Sequence, residues 1–286
     1  MTTTEITTPD ADIRDFAATV RSVCESAPTA DRWSPTAPSD DRNPLLHKTM
    51  VETGWFDIAD EPNGADFLGP AGVELGRALA PLHLIDDLLG HGVALSADVV
   101  GDLALARYRN VGETVWFCGT DGAQLAEITS AEAVHYIDAQ AVAVIEVTER
   151  APSAPAGPAV EAWTAAMTGY VAGLAAGALE LAGAHASQRI AFGRPLADID
   201  AVAKKIADCA TTTEGLQMAA RRRPDVTVLQ QAPASAFRVM RACHQILGGL
   251  GFTLEYPLQR YSRRVEALRA WTAPAATALH TSRVYA

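Results

Sequence analysis

The chain has 286 residues, 49% of them hydrophobic, which suits one large domain or two to three smaller ones and supplies material for a sizeable core. Its net charge of -11 and pI near 5.1 exclude a general nucleic-acid or anionic-membrane binder, since both need excess Lys and Arg on the contact face. The four cysteines form no CxxC pair and the seven histidines show no spacing such as HExxH, so buried, reduced thiols and no metal are expected.

The polar, acidic start MTTTEITTPDADIRDF lacks the features of a secretory signal, and a cytoplasmic protein is expected. Asp10 and the run DIRDFAATVRSVCES predict a capped amphipathic helix. NPLLHKTMVETG predicts a second that stops at Gly54, and AGVELGRALAPLHLIDDLLG one or two more. Beyond residue 92 the runs ALARYRN, TVWFCGTDG, LAEITS and AVAVIEVTE are short, β-branched or aromatic, and broken by turn residues. They predict a small β region of roughly five strands. APSAPAGPA, residues 151–159, reads as a linker.

Helical periodicity then returns. Residues 161–188 carry Gly169, Gly173 and Gly177 on one face, a spacing that admits a close helix neighbour and predicts tight bundle packing. The uncharged stretch 162–179 is long enough to raise a transmembrane reading. Its Ala, Gly and Thr content, with Glu180 following at once, favours a buried helix instead. Three further helices follow in ADIDAVAKKIADCATTTEGLQMAARRR, APASAFRVMRACHQILGG and EYPLQRYSRRVEALRAW, with a shorter last one in TAPAATALHTSRVY. The expected fold is mainly α: an N-terminal helical domain (1–91), a reduced β domain (92–150) and a C-terminal antiparallel four-helix bundle (151–286).

Two motifs carry chemistry. In SQRIAFGRPL, Gly193 and Pro195 end a helix, Arg189 offers a planar cationic fork suited to a pyrophosphate or carboxylate, and Phe192 can pack over a ring. In QILGGLGF, Gly248, Gly249 and Gly251 let the backbone approach a ligand, and Gln245 can donate and accept. Each also reads as an ordinary helix cap. Leu254 occupies the place where GxGxxG would need glycine, and no strand precedes it, so this is not a Rossmann fingerprint.

Together these motifs, in an Ala-rich helical C-terminal half, make the chain resemble the acyl-CoA dehydrogenase family from about residue 161 onward. The resemblance is weaker over residues 51–81. It implies FAD, with Arg189 and Phe192, and Gln245, Ile246, Leu247, Gly248 and Gly249, reaching the ADP half of a flavin held by a neighbouring subunit. The family's TEP-x-x-GSD-like strand, which binds the flavin ring, is not found in the shortened β region. The family's catalytic Glu corresponds to Thr272, and the alternative position used by a minority of members to Trp163. An alcohol or an indole cannot take a proton from Cα of a thioester. Glu161 points about 200° around the helix from the required direction and is read as a surface or capping residue. Arg260 and Arg264 are read as a solvated helix face.

Keeping the half of the site that serves a neighbour while losing the half that serves itself implies a non-catalytic, β-type subunit. Its expected partner is a catalytic acyl-CoA dehydrogenase subunit, in an α2β2 heterotetramer resembling the actinobacterial assemblies that act on steroid-CoA thioesters. Two alternatives stay open: a flavin-free homo-oligomeric scaffold or acyl-CoA-binding protein, and a CoA-thioester enzyme of altered chemistry.

Overall fold

In the computed structural model, which describes residues 10–26, 44–96, 103–107, 110–134, 142–148 and 155–284, three regions follow one another along the chain. The first holds α1 (Asp10–Ser26), α2 (Pro44–Glu52), α3 (Gly64–Arg77) and the short α4 (His83–Asp86). The chain turns after α2 where Gly54 takes φ 76°, a left-handed conformation that a side chain would resist. α3 starts well ahead of the expected Ala71 and runs through Pro70.

The second region is a closed barrel of β1 (Gly92–Ser96), β2 (Leu103–Arg107), β3 (Thr114–Gly119), β4 (Gly122–Val134) and β5 (Val142–Val147), in the order β1-β2-β5-β4-β3. Neighbours are antiparallel except β1 and β3, whose parallel pairing closes the barrel. Four strands coincide with the expected runs; β1, the small-residue segment GVALS, is added to them. Ala94, Ala104, Ala106 and Ala126 leave room for Phe117, Ile128 and Ile145, so the barrel is filled by its own side chains.

The third region is the expected bundle: α5 (Gly157–Gln188), α6 (Asp200–Ala220), α7 (Val226–Leu247) and α8 (Leu258–Val284). Its up-and-down course is fixed by bonds between opposite ends. Lys205 early in α6 reaches Gln245 late in α7, Gln230 early in α7 reaches Thr277 late in α8, and Thr164 early in α5 meets His280 late in α8. α5 begins inside the expected linker, because Pro158 sits in the first turn where its missing N–H costs nothing. The segment 151–154 lies outside the described residues. The two helices expected on either side of WTAP are one: α8 continues through Pro274, and the carbonyl that the proline leaves unpaired belongs to Ala270, which is exposed to water.

α5 is apolar and long enough to cross a membrane, yet 83% of its most apolar window is buried inside the protein. Its glycine stripe acts differently from expectation. A Cβ on Gly169 or Gly173 would overlap the backbone of α3, at Gly69 and Val73, and Gly72 and Gly76 of α3 face Ala166 and Tyr170 of α5 in the same way. Only Gly177 serves the bundle, where a Cβ would lie 2.6 Å from the Tyr261 ring. The stripe therefore docks the N-terminal region onto the bundle, backbone against backbone, and the two share one hydrophobic core. All four cysteines are buried and unbridged.

Candidate functional site

Arg189 closes α5 in an extended conformation, its N–H donating to the His185 carbonyl at 2.8 Å and its carbonyl accepting from the Leu196 N–H at 2.9 Å. A two-stranded hairpin follows, β6 (Ile190–Ala191) with β7 (Arg194–Pro195), and Phe192 and Gly193 form its tip. Both tip residues have positive φ, 53° and 78°. For phenylalanine that conformation costs energy, and it holds a ring that is 96% exposed. The Arg189 side chain is exposed beside it in sequence.

Gln245 lies exposed in the last turn of α7, where its Oε1 accepts from Lys205 Nζ at 2.5 Å. Ile246 and Leu247 bury their side chains in the core, so they have only backbone to offer a ligand. Gly248 then turns the chain at φ 58°, and a Cβ added at Gly248 or Gly249 would meet nothing within 4 Å. The backbone there faces open space. Phe252, 73% exposed, stacks on His244 at 4.8 Å, and His244 is bonded to Ser262 at 2.6 Å. Burial lowers the His244 pKa, with a hydrogen bond involving Gly251 acting in the opposite sense.

Both motifs thus lie at one end of the bundle, where α5 and α7 finish and α6 and α8 start. Arg189, Arg194 and Lys205 supply cations there in a chain that is acidic as a whole. Exposed guanidinium, open glycine backbone and an outward aromatic ring fit the phosphate and ring of a nucleotide arriving from outside the chain.

The two positions that the resemblance assigns to a catalytic carboxylate are occupied by Thr272 and Trp163, in different surroundings. Thr272 is buried, and its Oγ1 has no hydrogen-bond partner among the described residues. Trp163 is buried and donates from Nε1 to Asp86 Oδ1 at 3.1 Å. Arg107 Nη2 donates to the same carboxylate, at 2.9 and 3.1 Å, and its guanidinium lies 4.7 Å from the centre of the Trp271 ring. A buried chain of contacts therefore crosses all three regions: Trp163 of α5, Asp86 of α4, Arg107 of β2 and Trp271 of α8. Sequence reasoning missed Asp86 and Arg107. The available signal was a carboxylate inside the apolar run HLIDDLL and a cation ending the strand ALAR.

Asp86 does not serve as a free base, because its oxygens are already engaged by Arg107 and Trp163. Glu161 is exposed, so it lacks the desolvation a competent base needs. Arg264 corrects the reading of a solvated face: it is buried and donates to the Ala80 carbonyl and to the Tyr170 hydroxyl. The barrel rests directly on the last turns of α8, where Ser282 Oγ accepts from the Ala123 N–H at 2.6 Å.

Comparison with known proteins agrees with this architecture. Residues 161–225 match the family model described as the acyl-CoA dehydrogenase C-terminal domain. The acyl-CoA dehydrogenase FadE28 of Mycobacterium tuberculosis is 30% identical over 120 residues, 36% of this chain and 34% of that protein. The alignment spans about a third of that relative's length. Among solved structures, a variant of the Tcur3481-Tcur3483 steroid ACAD superposes with a TM-score of 0.73 at 17% identity, covering 96% of this chain and 98% of that one. The glutaryl-CoA dehydrogenase of Mycobacterium smegmatis in complex with FADH2 gives 0.66 at 16% identity, covering 97% and 95%. The ChsE4-ChsE5 complex from Mycobacterium tuberculosis gives 0.63 at 15% identity, covering 97% and 96%. These likenesses show the acyl-CoA dehydrogenase fold along nearly the whole chain.

Proposed function

We propose that this chain, which belongs to the acyl-CoA dehydrogenase family, is the non-catalytic, β-type subunit of a heteromeric FAD-dependent acyl-CoA dehydrogenase. It completes the ADP-binding half of the flavin site in a catalytic partner, in a cytoplasmic α2β2 heterotetramer that carries out α,β-dehydrogenation of a CoA thioester. A steroid-derived thioester is the favoured class, because a steroid ACAD is among the structures that share the fold. Tcur3481-Tcur3483 and ChsE4-ChsE5 each pair two chains, which supports a heteromer.

The observation that carries the proposal is a contrast within one chain. At the bundle end, Arg189, Phe192 and Gly248–Gly249 are open to a ligand from outside. At the base positions, Thr272 and Trp163 are sealed in the core beside a committed ion pair. When bound, the flavin supplies the hydride acceptor for the reaction. Arg189 would hold the anionic linkage of the cofactor, the backbone at Gly248 and Gly249 would admit it without side-chain interference, and Phe192 would shield it from water. Among the described residues, those around Trp163 hold no proton acceptor free for substrate, so the base comes from the partner.

The test is purification of the chain alone and with its catalytic partner. Alone it is expected colourless or insoluble; together the pair takes up FAD stoichiometrically. An active, FAD-loaded homo-oligomer of this chain overturns the proposal, and a colourless homo-oligomer that binds acyl-CoA makes it a scaffold or binding protein instead.

A further inference from the structure

We propose that His47, His83 and Asp87 form a binding site for a first-row divalent transition ion of the zinc class, independent of any flavin. His47 comes from α2, His83 starts α4 and Asp87 begins the 3-10 turn that follows. The ligand atoms of the three side chains all lie within 4.8 Å of one another. His83 and Asp87 are one helical turn apart, so they share a face. His47 reaches them from a helix distant in sequence, which is why no linear metal motif marks the site.

The geometry of the two imidazoles fits a shared ion. Their ring centroids are 5.6 Å apart with planes inclined by 25°. Two imidazoles on one tetrahedral zinc, each with its nitrogen at about 2.0–2.1 Å from the metal, have centroids about 5 Å apart. Small side-chain rotations therefore close the site. His47 and Asp87 are half-buried, whereas His83 is buried and provides the fixed ligand. Phe56 packs against His47 at 5.2 Å and shields one side.

Two imidazole nitrogens and one carboxylate suit zinc, nickel or copper; magnesium and calcium prefer oxygen ligands. Three protein ligands leave a fourth position for water. The ion would clasp α2 to the turn that carries Asp86, since His83 and Asp87 flank that residue. Metal loading would thereby stiffen the helix turn that presents the buried carboxylate to Arg107 and Trp163.

The test uses the chain stripped of metal by chelator and free of any histidine tag, titrated with ZnCl2 in a calorimeter and followed by thermal unfolding. Wild type is expected to bind one ion per chain and to melt at higher temperature with Zn2+, with no such shift for Mg2+. His47→Asn and Asp87→Asn, both at half-buried positions, should each weaken Zn2+ binding about tenfold or more. Co2+ loading gives a readout that does not depend on variants: nitrogen and oxygen ligation is expected, without a thiolate charge-transfer band. Absence of saturable Zn2+ binding in wild type, undiminished binding in both variants, or a cobalt–thiolate band would each overturn the proposal.

Discussion

Arg107 and Asp86 form an ion pair at 2.9 Å in which both side chains are almost fully buried, one on the barrel and the other on the N-terminal helices. Trp163 and Trp271 of the bundle complete its surroundings. Removing one member leaves an uncompensated charge out of water, so Arg107→Met should destabilise the chain by about 3–5 kcal/mol. Asp86→Leu combined with Arg107→Met should recover most of that loss. Urea unfolding of the single and double variants decides it: equal losses in both would mean that the pair is held for its packing and not its charge.

The crossing of α3 and α5 gives a second prediction, through two glycines of one helix. Gly173→Ala drives a methyl into the α3 backbone at Val73 and should cost about 1–3 kcal/mol or more. Gly183→Ala, in the same helix with nothing within 4 Å of the added carbon, should stabilise by about 0.5–1 kcal/mol. Thermal melts that fail to separate the two variants would show that the close approach is not required.

Much of this was legible because it is local. Periodicity set the four bundle helices, and β-branched runs set four of five strands. The glycines at 169 and 173 announced a close neighbour, yet spacing cannot say which helix arrives, and α3 came instead of a bundle partner. The break expected between Trp271 and Thr272 is absent because α8 continues through Pro274, and the carbonyl that the proline leaves unpaired belongs to exposed Ala270. Arg264 and the pair Asp86–Arg107 were hidden for a different reason: their partners lie far along the chain, and only tertiary packing makes a buried charge tolerable. The site motifs were visible as residues, whereas the strained exposure of Phe192 depends on a backbone angle that sequence does not print.

For the flavin end, Arg189→Ala should weaken FAD retention in the complex by about 1.5–3 kcal/mol while the chains stay associated. Gly249→Val should do likewise by filling the space used by the cofactor, and it should leave the chain itself stable because nothing of the protein lies within 4 Å there. Flavin absorbance after gel filtration reads both effects. Unchanged flavin content in the two variants would make the motifs helix caps and nothing more.

His244 supplies a pH dependence. Burial lowers its pKa below the ordinary 6.5, so the unfolded chain binds the proton more readily than the folded one. Its contribution to stability is present in full above pH 6.5 and is lost as pH falls from there through the folded value. Unfolding free energy measured from about pH 7.5 down to about 5.5 should decline, and His244→Gln should flatten that decline. An identical slope in the variant would assign the effect to another group.

The last prediction concerns the missing base. If a carboxylate were all the chain lacked, Thr272→Glu would create a second active site, because the side chain would start from the position that the family uses. It is expected to fail. Thr272 is sealed in the core next in sequence to Trp271, over which Arg107 lies, so a longer, ionisable side chain there meets protein and not a thioester. A base also works only when the reacting carbon is held between it and a hydride acceptor on the opposite face. The variant should therefore lose stability, with its Glu carboxyl held neutral by burial. The measurement is turnover per flavin in a complex whose partner subunit has lost its own base: recovered dehydrogenation would show that substrate and flavin ring reach this centre and that the chain is a catalytic subunit lacking one residue.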